Sequence, residues 1–315
     1  MLEDVKVAYV FPGQDSFAVG MGLDLYVHYV SARSVFEEVD RTLGFSLSRL
    51  CFEGPESELT QTQNIQPAVL ATSIACLRSA QEVTGNTLPT PTFVAGHSLG
   101  EFTALAAVGA LSLSDAVKLV RERGRLMDEA GRRTHGGMLA ISGMDLATIE
   151  NICLGVGAQI SNINSPGHIT ISGPMDSLNK VKRLAQIKGA KRMVPLKVTG
   201  PFHSSLMDPA LPGFMNAVNS YKFNKPIVPI MANVTAQPMT GAETIQEELV
   251  SQMVHCIKWQ QSVETMISKG VTTFFEIGPK DLLSEHIKRI SPGARVFSIH
   301  SLNTVSEISS WRKGL

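Results

Sequence analysis

Gly96-His97-Ser98-Leu99-Gly100 sets a serine between two glycines. A short β-prone run, Thr92 to Ala95, precedes it, and an Ala-rich helix-forming run, Glu101 to Ala107, follows. A strand that turns sharply into a helix around G-x-S-x-G is a nucleophile elbow. The glycines admit backbone approaches too close for a Cβ. The turn lifts the Ser98 hydroxyl clear of the sheet edge, and the helix N-terminus behind it favours negative charge at the same spot. The chemistry expected of Ser98 is attack on a carbonyl carbon. The pentapeptide alone is a weak pattern, equally met as a surface serine between chance glycines; the flanking runs favour the nucleophile.

A serine hydroxyl needs a base. His97 adjoins Ser98, and side chains of neighbouring elbow residues diverge, so His97 is read as lining the pocket. His203 is the better base, in the loop Gly200-Pro201-Phe202-His203-Ser204-Ser205; a solvated or structurally bonded loop histidine is the alternative. Between Ser98 and His203 the aspartates available for a third member are Asp115, Asp128, Asp145 and Asp176. All fall at helix starts or on helical faces, where a carboxylate is usually exposed, and none follows a strand. His203 is therefore expected to be oriented by a backbone carbonyl.

Arg123 shares one helical stripe with Ala116, Leu119, Val120 and Met127, and that stripe is otherwise apolar. A guanidinium there needs an anionic partner. Either an internal Asp or Glu or a substrate carboxylate held bidentately would serve, and the pattern does not choose between them. Gln14 follows the first strand at Pro12-Gly13. If that strand lies beside the elbow strand, the Gln14 N–H could join the N–H of Leu99 as an oxyanion donor; a plain loop glutamine is the other reading. Lys180, Lys182, Arg183, Lys188, Lys191 and Arg192 are read first as a solvated face, and second as a patch for a phosphate-bearing carrier or coenzyme.

The elements that must position these residues alternate strand and helix. Strands are expected at Val5 to Phe11, before the elbow, at Ile227 to Asn233, Thr272 to Ile277 and Arg295 to Ile299. Helices are expected at Glu56 to Leu59, Gln66 to Val83, Ser112 to Ala130 with Ser114 as N-cap, Thr244 to Val254, Trp259 to Ser268 and Leu282 to Ile290. Between them the texture changes. Met138 to Ile141, Leu146 to Ile152, Gln159 to Asn162, Ile169 to Ser172, Pro174 to Lys188 and Lys191 to Val198 read β-α-β-β-α-β, a ferredoxin-like unit. Its junction with the main domain at Gly200 is a place for a cleft.

Composition bounds the partners. The 315 residues carry 28 Lys plus Arg against 28 Asp plus Glu, so no global field exists to hold nucleic acid or a membrane surface. Cys51, Cys76, Cys153 and Cys256 form no C-x-x-C pair and no metal spacing, and are read as buried free thiols. The start Met1-Leu2-Glu3-Asp4-Val5-Lys6 lacks a signal-peptide pattern, and no apolar run approaches a membrane span, so a cytoplasmic protein is expected.

Taken in order, Val10-Phe11-Pro12-Gly13-Gln14, Ile65-Gln66-Pro67-Ala68, Gly96-His97-Ser98-Leu99-Gly100-Glu101, Arg123-Gly124, Asn164-Ser165-Pro166-Gly167, Pro201-Phe202-His203, Asn233-Val234 and Glu276-Ile277-Gly278-Pro279 resemble the malonyl-CoA:acyl carrier protein transacylases over nearly the whole chain. The resemblance implies an α/β fold, with an α/β-hydrolase-like core over 1–131 and 199–315 and a ferredoxin-like insertion over 132–198. It implies Ser98 as nucleophile, His203 as base and Arg123 on the malonyl carboxylate. Gln14 and Leu99 would supply oxyanion N–H groups. Gln252 matches a glutamine near the catalytic histidine, and Gln66 and His97 join the substrate-binding set. Phe202 matches malonyl-selective members, its bulk crowding an α-methyl branch. The implied reaction passes malonyl from malonyl-CoA through Ser98 to the phosphopantetheine thiol of an acyl carrier protein. It uses no metal or redox cofactor and is expected of a monomer. A thioester hydrolase, or a weakly active carrier-binding subunit, are the alternatives. The chain departs from the family at Asp15-Ser16-Phe17, where Gly-Ser-Gln is usual, and at His168, where Gln is common; Asp15 is expected to tolerate a positive φ there.

Overall fold

The computed structural model describes residues 5–308. In chain order its strands are β1 (Lys6–Phe11), β2 (Phe93–Gly96), β3 (Gly136–Ser142), β4 (Gln159–Ser165), β5 (His168–Pro174), β6 (Arg192–Pro195), β7 (Ile230–Met231), β8 (Pro238–Met239), β9 (Val271–Ile277) and β10 (Arg295–Ile299). They form a six-stranded sheet of order β10-β9-β1-β2-β7-β8 and a four-stranded sheet of order β4-β5-β3-β6.

The larger sheet is parallel except for the β7–β8 pair. A parallel sheet covered on both faces needs apolar side chains on both sides of each strand. β1 supplies them: Val7, Tyr9 and Phe11 enter one apolar cluster while Ala8 and Val10 enter another. β1 lies directly beside β2, in a register that sets Phe11 against Gly96. The turn after β1 therefore meets the elbow after β2, as the Gln14 argument requires.

The smaller sheet is antiparallel throughout, and its connectivity is β3, helix Leu146–Val156, β4, β5, helix Met175–Ile187, β6. Both helices cover one face around Ile141, Ile149, Ile171 and Val181. β4 is fastened to the larger unit through Ile257: the Ile163 N–H donates to the Ile257 carbonyl at 2.9 Å, and the Ile257 N–H donates to the Ser161 carbonyl at 2.8 Å. This seam fixes the cleft in which the site lies.

Several elements differ from the sequence reading. The long helix spans Thr62–Val83 and takes Pro67 inside it. Burial of Thr62, Asn64 and Ile65 outweighs the hydrogen bond that Pro67 cannot donate. The next long helix, Leu113–Thr134, is capped by Ser112, which accepts from the Asp115 N–H; the Ser114 hydroxyl instead donates to Glu38. The strand expected over 227–233 shrinks to Ile230–Met231. Helices Leu23–His28, Val30–Leu43, Leu47–Glu53, Leu211–Asn219 and Leu302–Glu307 had no assignment. Cys51, Cys76 and Cys153 are buried free thiols, but Cys256 is only half-buried. Among the described residues no helix is long and apolar enough to cross a membrane.

Candidate functional site

Ser98 sits at φ 52, ψ −105, a region a non-glycine residue enters only when its surroundings hold it there. Both glycines of the pentapeptide are required. A Cβ on Gly96 would lie 1.8 Å from the Gly100 carbonyl carbon, and one on Gly100 would lie 2.0 Å from the Phe11 oxygen. Two side chains clamp the strained serine backbone. The Ser98 N–H donates to Asn233 Oδ1 at 2.7 Å, and the Ser98 carbonyl accepts from Gln252 Nε2 at 3.0 Å.

The Ser98 hydroxyl lies 2.8 Å from His203 Nε2. His203 Nδ1 lies 2.8 Å from the main-chain oxygen of Gln252. A carbonyl only accepts, so Nδ1 carries the proton and Nε2 presents its lone pair to the serine. Burial, and then the charge of Arg123, hold the His203 pKa down to about 3, so the imidazole is neutral over the ordinary pH range. Among the described residues no carboxylate orients it. Asp115, Asp145 and Asp176 stay at helix starts. Asp128 departs from the expected exposure: it is buried, accepting hydrogen bonds from Thr62 and Thr199.

Arg123 is fully buried. Its Nη1 donates to Gln66 Oε1 and its Nη2 to Gln252 Oε1, both at 2.9 Å, and Nη2 also reaches Ser98 Oγ at 3.2 Å. Its guanidinium carbon stands 5.2 Å from the Phe102 ring centroid, and Nε has no hydrogen-bond partner. Among the described residues no carboxylate forms an ion pair with it; its direct partners are neutral amides and a hydroxyl. Burial pulls its pKa down to about 10, with the nearby charge of Glu101 opposing. A buried cation beside a serine hydroxyl, lacking a contacting anion and with its Nε unpartnered, is suited to a ligand carboxylate.

A cavity of about 500 Å³ opens over Ser98 and His203, and Gln14, His97, Met127 and Phe202 line it. β3, β4 and the strand-to-core return contribute Met138, Asn162 and Lys197, so the smaller sheet shares the walls with the turns that follow β1 and β2. His97 Nε2 lies 2.9 Å from Asn164 Oδ1, which holds the ring against the cavity wall. Leu99 begins the elbow helix and Gln14 begins a short 3-10 turn, so neither N–H has a partner within its own helix. The side chains of Gln14 and Gln66 bond each other at 3.2 Å.

Asp15 lies exposed in the 3-10 turn at the cavity mouth, and it has no positive φ to tolerate there. The turn closes without a left-handed residue, since Gly13 itself has φ −78. His168 stays outside the cavity lining, edge-on to His286 at 5.9 Å. The six basic residues noted in the sequence are all exposed and none lines the cavity. Among the described residues no group of three His, Cys, Asp or Glu side chains is placed to hold a metal ion. The sequence reading gave no role to Glu101 or Asn233. Both stand in motifs that carry the resemblance, but what they do lies in tertiary hydrogen bonds, which periodicity cannot carry.

A family model for the acyl transferase domain matches residues 8–299. The chain belongs to the acyl transferase family. Every site residue of this acyl transferase, from Gln14 to Gln252, falls inside the match. The chain is 42% identical over 305 residues to the malonyl CoA-acyl carrier protein transacylase of Bacillus subtilis (strain 168), covering 95% of each. It matches the crystal structure of the acyl-carrier-protein-S-malonyltransferase of Bartonella henselae at a TM-score of 0.93 and 39% identity, over 99% of this chain and 100% of that one. A malonyl-transacylase solved in complex with a type II PKS acyl-carrier protein matches at a TM-score of 0.93 and 34% identity, over 97% and 99% of the two chains.

Proposed function

We propose that this acyltransferase moves a malonyl group from malonyl-CoA to the phosphopantetheine thiol of an acyl carrier protein. The observation that carries the reading is Arg123, buried without a contacting carboxylate and 3.2 Å from the Ser98 hydroxyl. The full-length similarity to malonyl transacylases supports it.

His203 Nε2 takes the Ser98 proton as Oγ attacks the thioester carbonyl. The oxyanion forms in front of the N–H groups of Leu99 and Gln14, at the N-terminus of the elbow helix. Collapse expels the CoA thiol, which receives the proton from His203, and leaves a malonyl-serine ester. The carrier thiol then gives its proton to His203 and attacks the ester, and Ser98 recovers a proton as malonyl-carrier departs. Each half-reaction exchanges one acyl acceptor for another, so a metal or redox cofactor has no step to perform. Arg123 takes the malonyl carboxylate, with Gln66 and Gln252 as the amides that align its fork. That carboxylate also offsets the guanidinium charge that depresses His203, so a bound malonyl group strengthens the base that must act on it. Phe202 and His97 shape the acyl pocket.

We read the parallel sheet as an α/β-hydrolase-like core, residues 1–131 and 199–315, and the β-α-β-β-α-β unit, 132–198, as a ferredoxin-like insertion. Residues 1–4 and 309–315 of those spans lie outside the described structure. The working form is a cytoplasmic monomer.

The test is single-turnover labelling. Radiolabelled malonyl-CoA should label wild-type protein but not Ser98→Ala, and added holo-carrier should discharge the label much faster than water does. Label lost to water as fast without carrier would make the protein a hydrolase. No label on wild type, with label on Asp15→Gly, would make it a weakly active carrier-binding subunit.

A further inference from the structure

Among the buried carboxylates that the mechanism above leaves unused is Glu101. Glu101 is the first residue after the G-x-S-x-G pentapeptide and is fully buried. Its two carboxylate oxygens reach two different residues of the site. Oε1 accepts from the Asn233 N–H at 3.0 Å, and Oε2 accepts from the Gln252 side-chain amide.

Both recipients hold Ser98. Asn233 takes the Ser98 N–H through its side chain and donates to the Gly96 carbonyl at 2.7 Å. Gln252 donates to the Ser98 carbonyl, presents its own Oε1 to Arg123, and turns its main-chain oxygen to His203. The Glu101 carboxylate is thus one bond removed from the nucleophile, from the base and from the guanidinium; only its main-chain N–H meets Ser98, donating to the carbonyl at 3.1 Å.

The polarity of this chain follows from the chemistry of an amide. The two ends of Gln252 are nearly the same in shape and opposite in hydrogen bonding. Arg123 only donates, so it demands the oxygen of Gln252. Glu101, accepting at both of its oxygens, and the Ser98 carbonyl, which only accepts, demand the nitrogen. The two demands agree, and the amide has one satisfied orientation.

We propose that Glu101 is a positioning residue that sets the orientation of the Gln252 amide, and through it the readiness of Arg123 for a carboxylated acyl group. The inference rests on the reading of Arg123 as the carboxylate-binding residue. A glutamine at 101 keeps the shape but brings an N–H₂ group to the site. With its oxygen held by the Asn233 N–H, that nitrogen faces the Gln252 amide. Gln252 is then pulled to offer its oxygen, against the hold of the Ser98 carbonyl on its N–H₂, and as it turns that N–H₂ is driven against the guanidinium, donor against donor. Arg123 loses an acceptor and the alignment of its fork. Glu248 completes the arrangement from the neighbouring helix Ala242–Gln252, accepting from the Val234 N–H at 2.7 Å. Burial and the Glu248 charge raise the Glu101 pKa well above the usual range, while the donors from Asn233 and Gln252 and the charge of Arg123 oppose that rise.

The experiment compares Glu101→Gln, Arg123→Ala and wild type for rates of Ser98 acylation by malonyl-CoA and by acetyl-CoA, with a thermal melt of each. The expected result for Glu101→Gln is a folded protein whose malonyl-over-acetyl preference falls by about tenfold or more, chiefly through KM for malonyl-CoA. A merely structural role would lower both donors together, and an unchanged ratio would overturn the proposal. If Arg123→Ala also leaves the ratio unchanged, the reading of Arg123 falls and takes this one with it; if only Glu101→Gln leaves it unchanged, Glu101 alone is excluded. Should Glu101→Gln fail to fold, NMR of the wild-type protein decides. Scalar coupling across the bond from the Gln252 side-chain nitrogen to the Glu101 carboxyl carbon supports the proposal, and its absence in a well-resolved spectrum overturns it.

Discussion

His203 Nδ1 and the main-chain oxygen of Gln252 lie 2.8 Å apart, and in the proposed mechanism that bond does the work a carboxylate does in a Ser-His-Asp triad. A carbonyl fixes the tautomer without adding a negative charge. Removing any nearby aspartate should therefore cost little in rate. For Asp128→Asn we expect Ser98 acylation within about tenfold of wild type, against losses on the order of 10⁴ when a triad aspartate is removed. A lower melting temperature should accompany it, because Asp128 ties Thr62 to Thr199. A loss of several thousandfold in the acylation rate would show that a carboxylate orients the base after all.

Arg123→Ala should move the enzyme from malonyl towards acetyl donors. A charge-assisted hydrogen bond contributes about 1.5–3 kcal/mol, which corresponds to a selectivity change of roughly ten- to a hundredfold. Competition between malonyl-CoA and acetyl-CoA for Ser98, read by mass spectrometry of the acyl-enzyme, measures it. An unaltered product ratio would remove Arg123 from the substrate carboxylate.

Stability should fall on acidification through a known window. The pKa values of His203 and His286 are held down to about 3 and about 4 against an unfolded value of 6.5, burial being the first cause in both. The unfolded chain therefore binds these protons first. Their contribution is fully present above pH 6.5 and is lost as pH falls towards the folded values. That loss should pull denaturant midpoints down between pH 7 and 4, against the opposite pull of Glu101, Glu248 and Glu276, whose folded pKa values burial raises. The slope should lessen in His286→Asn, whose ring lies 3.0 Å from the Ser165 hydroxyl and outside the reaction. A slope identical to wild type would show that His286 is not buried neutral.

Gly100→Ala should abolish folding, because its Cβ would meet the Phe11 carbonyl, which is backbone and cannot give way. Soluble expression and circular dichroism test it; a folded, active Gly100→Ala protein would mean the elbow geometry is wrong. Asp15→Gly, by contrast, changes an exposed side chain in an unstrained 3-10 turn. We expect its melting temperature to stay near wild type and its acylation rate to change by less than about threefold. A rate increase of an order of magnitude would place the carboxylate against the developing oxyanion.

Much was legible because it depends on local pattern. The helix Trp259–Ser268 and the strand Arg295–Ile299 stand at the expected bounds, and β-α-β-β-α-β could be read from alternating period. The helices between Gln14 and Glu56 were not, since their shape is settled by packing: Val35, Phe36 and Val39 are buried against the long helix Thr62–Val83. Ser114 was the expected cap, but Ser112 takes that place, while Glu38 and Thr42 come within reach of the Ser114 hydroxyl.

By itself the sequence determined the elbow, the order of strands and helices, and a basic side chain in an apolar stripe. These follow from residue type and spacing along one chain. It could not decide whether Arg123 would meet an internal carboxylate or none in contact. That depended on which of the distant residues Gln66, Glu101 and Gln252 the fold brings beside it. Tertiary structure placed neutral amides against the guanidinium and set Glu101 one bond further away. The physical reason is range. Backbone geometry acts over a few residues, whereas a buried charge is satisfied by whatever groups close the same small volume, at any distance in sequence.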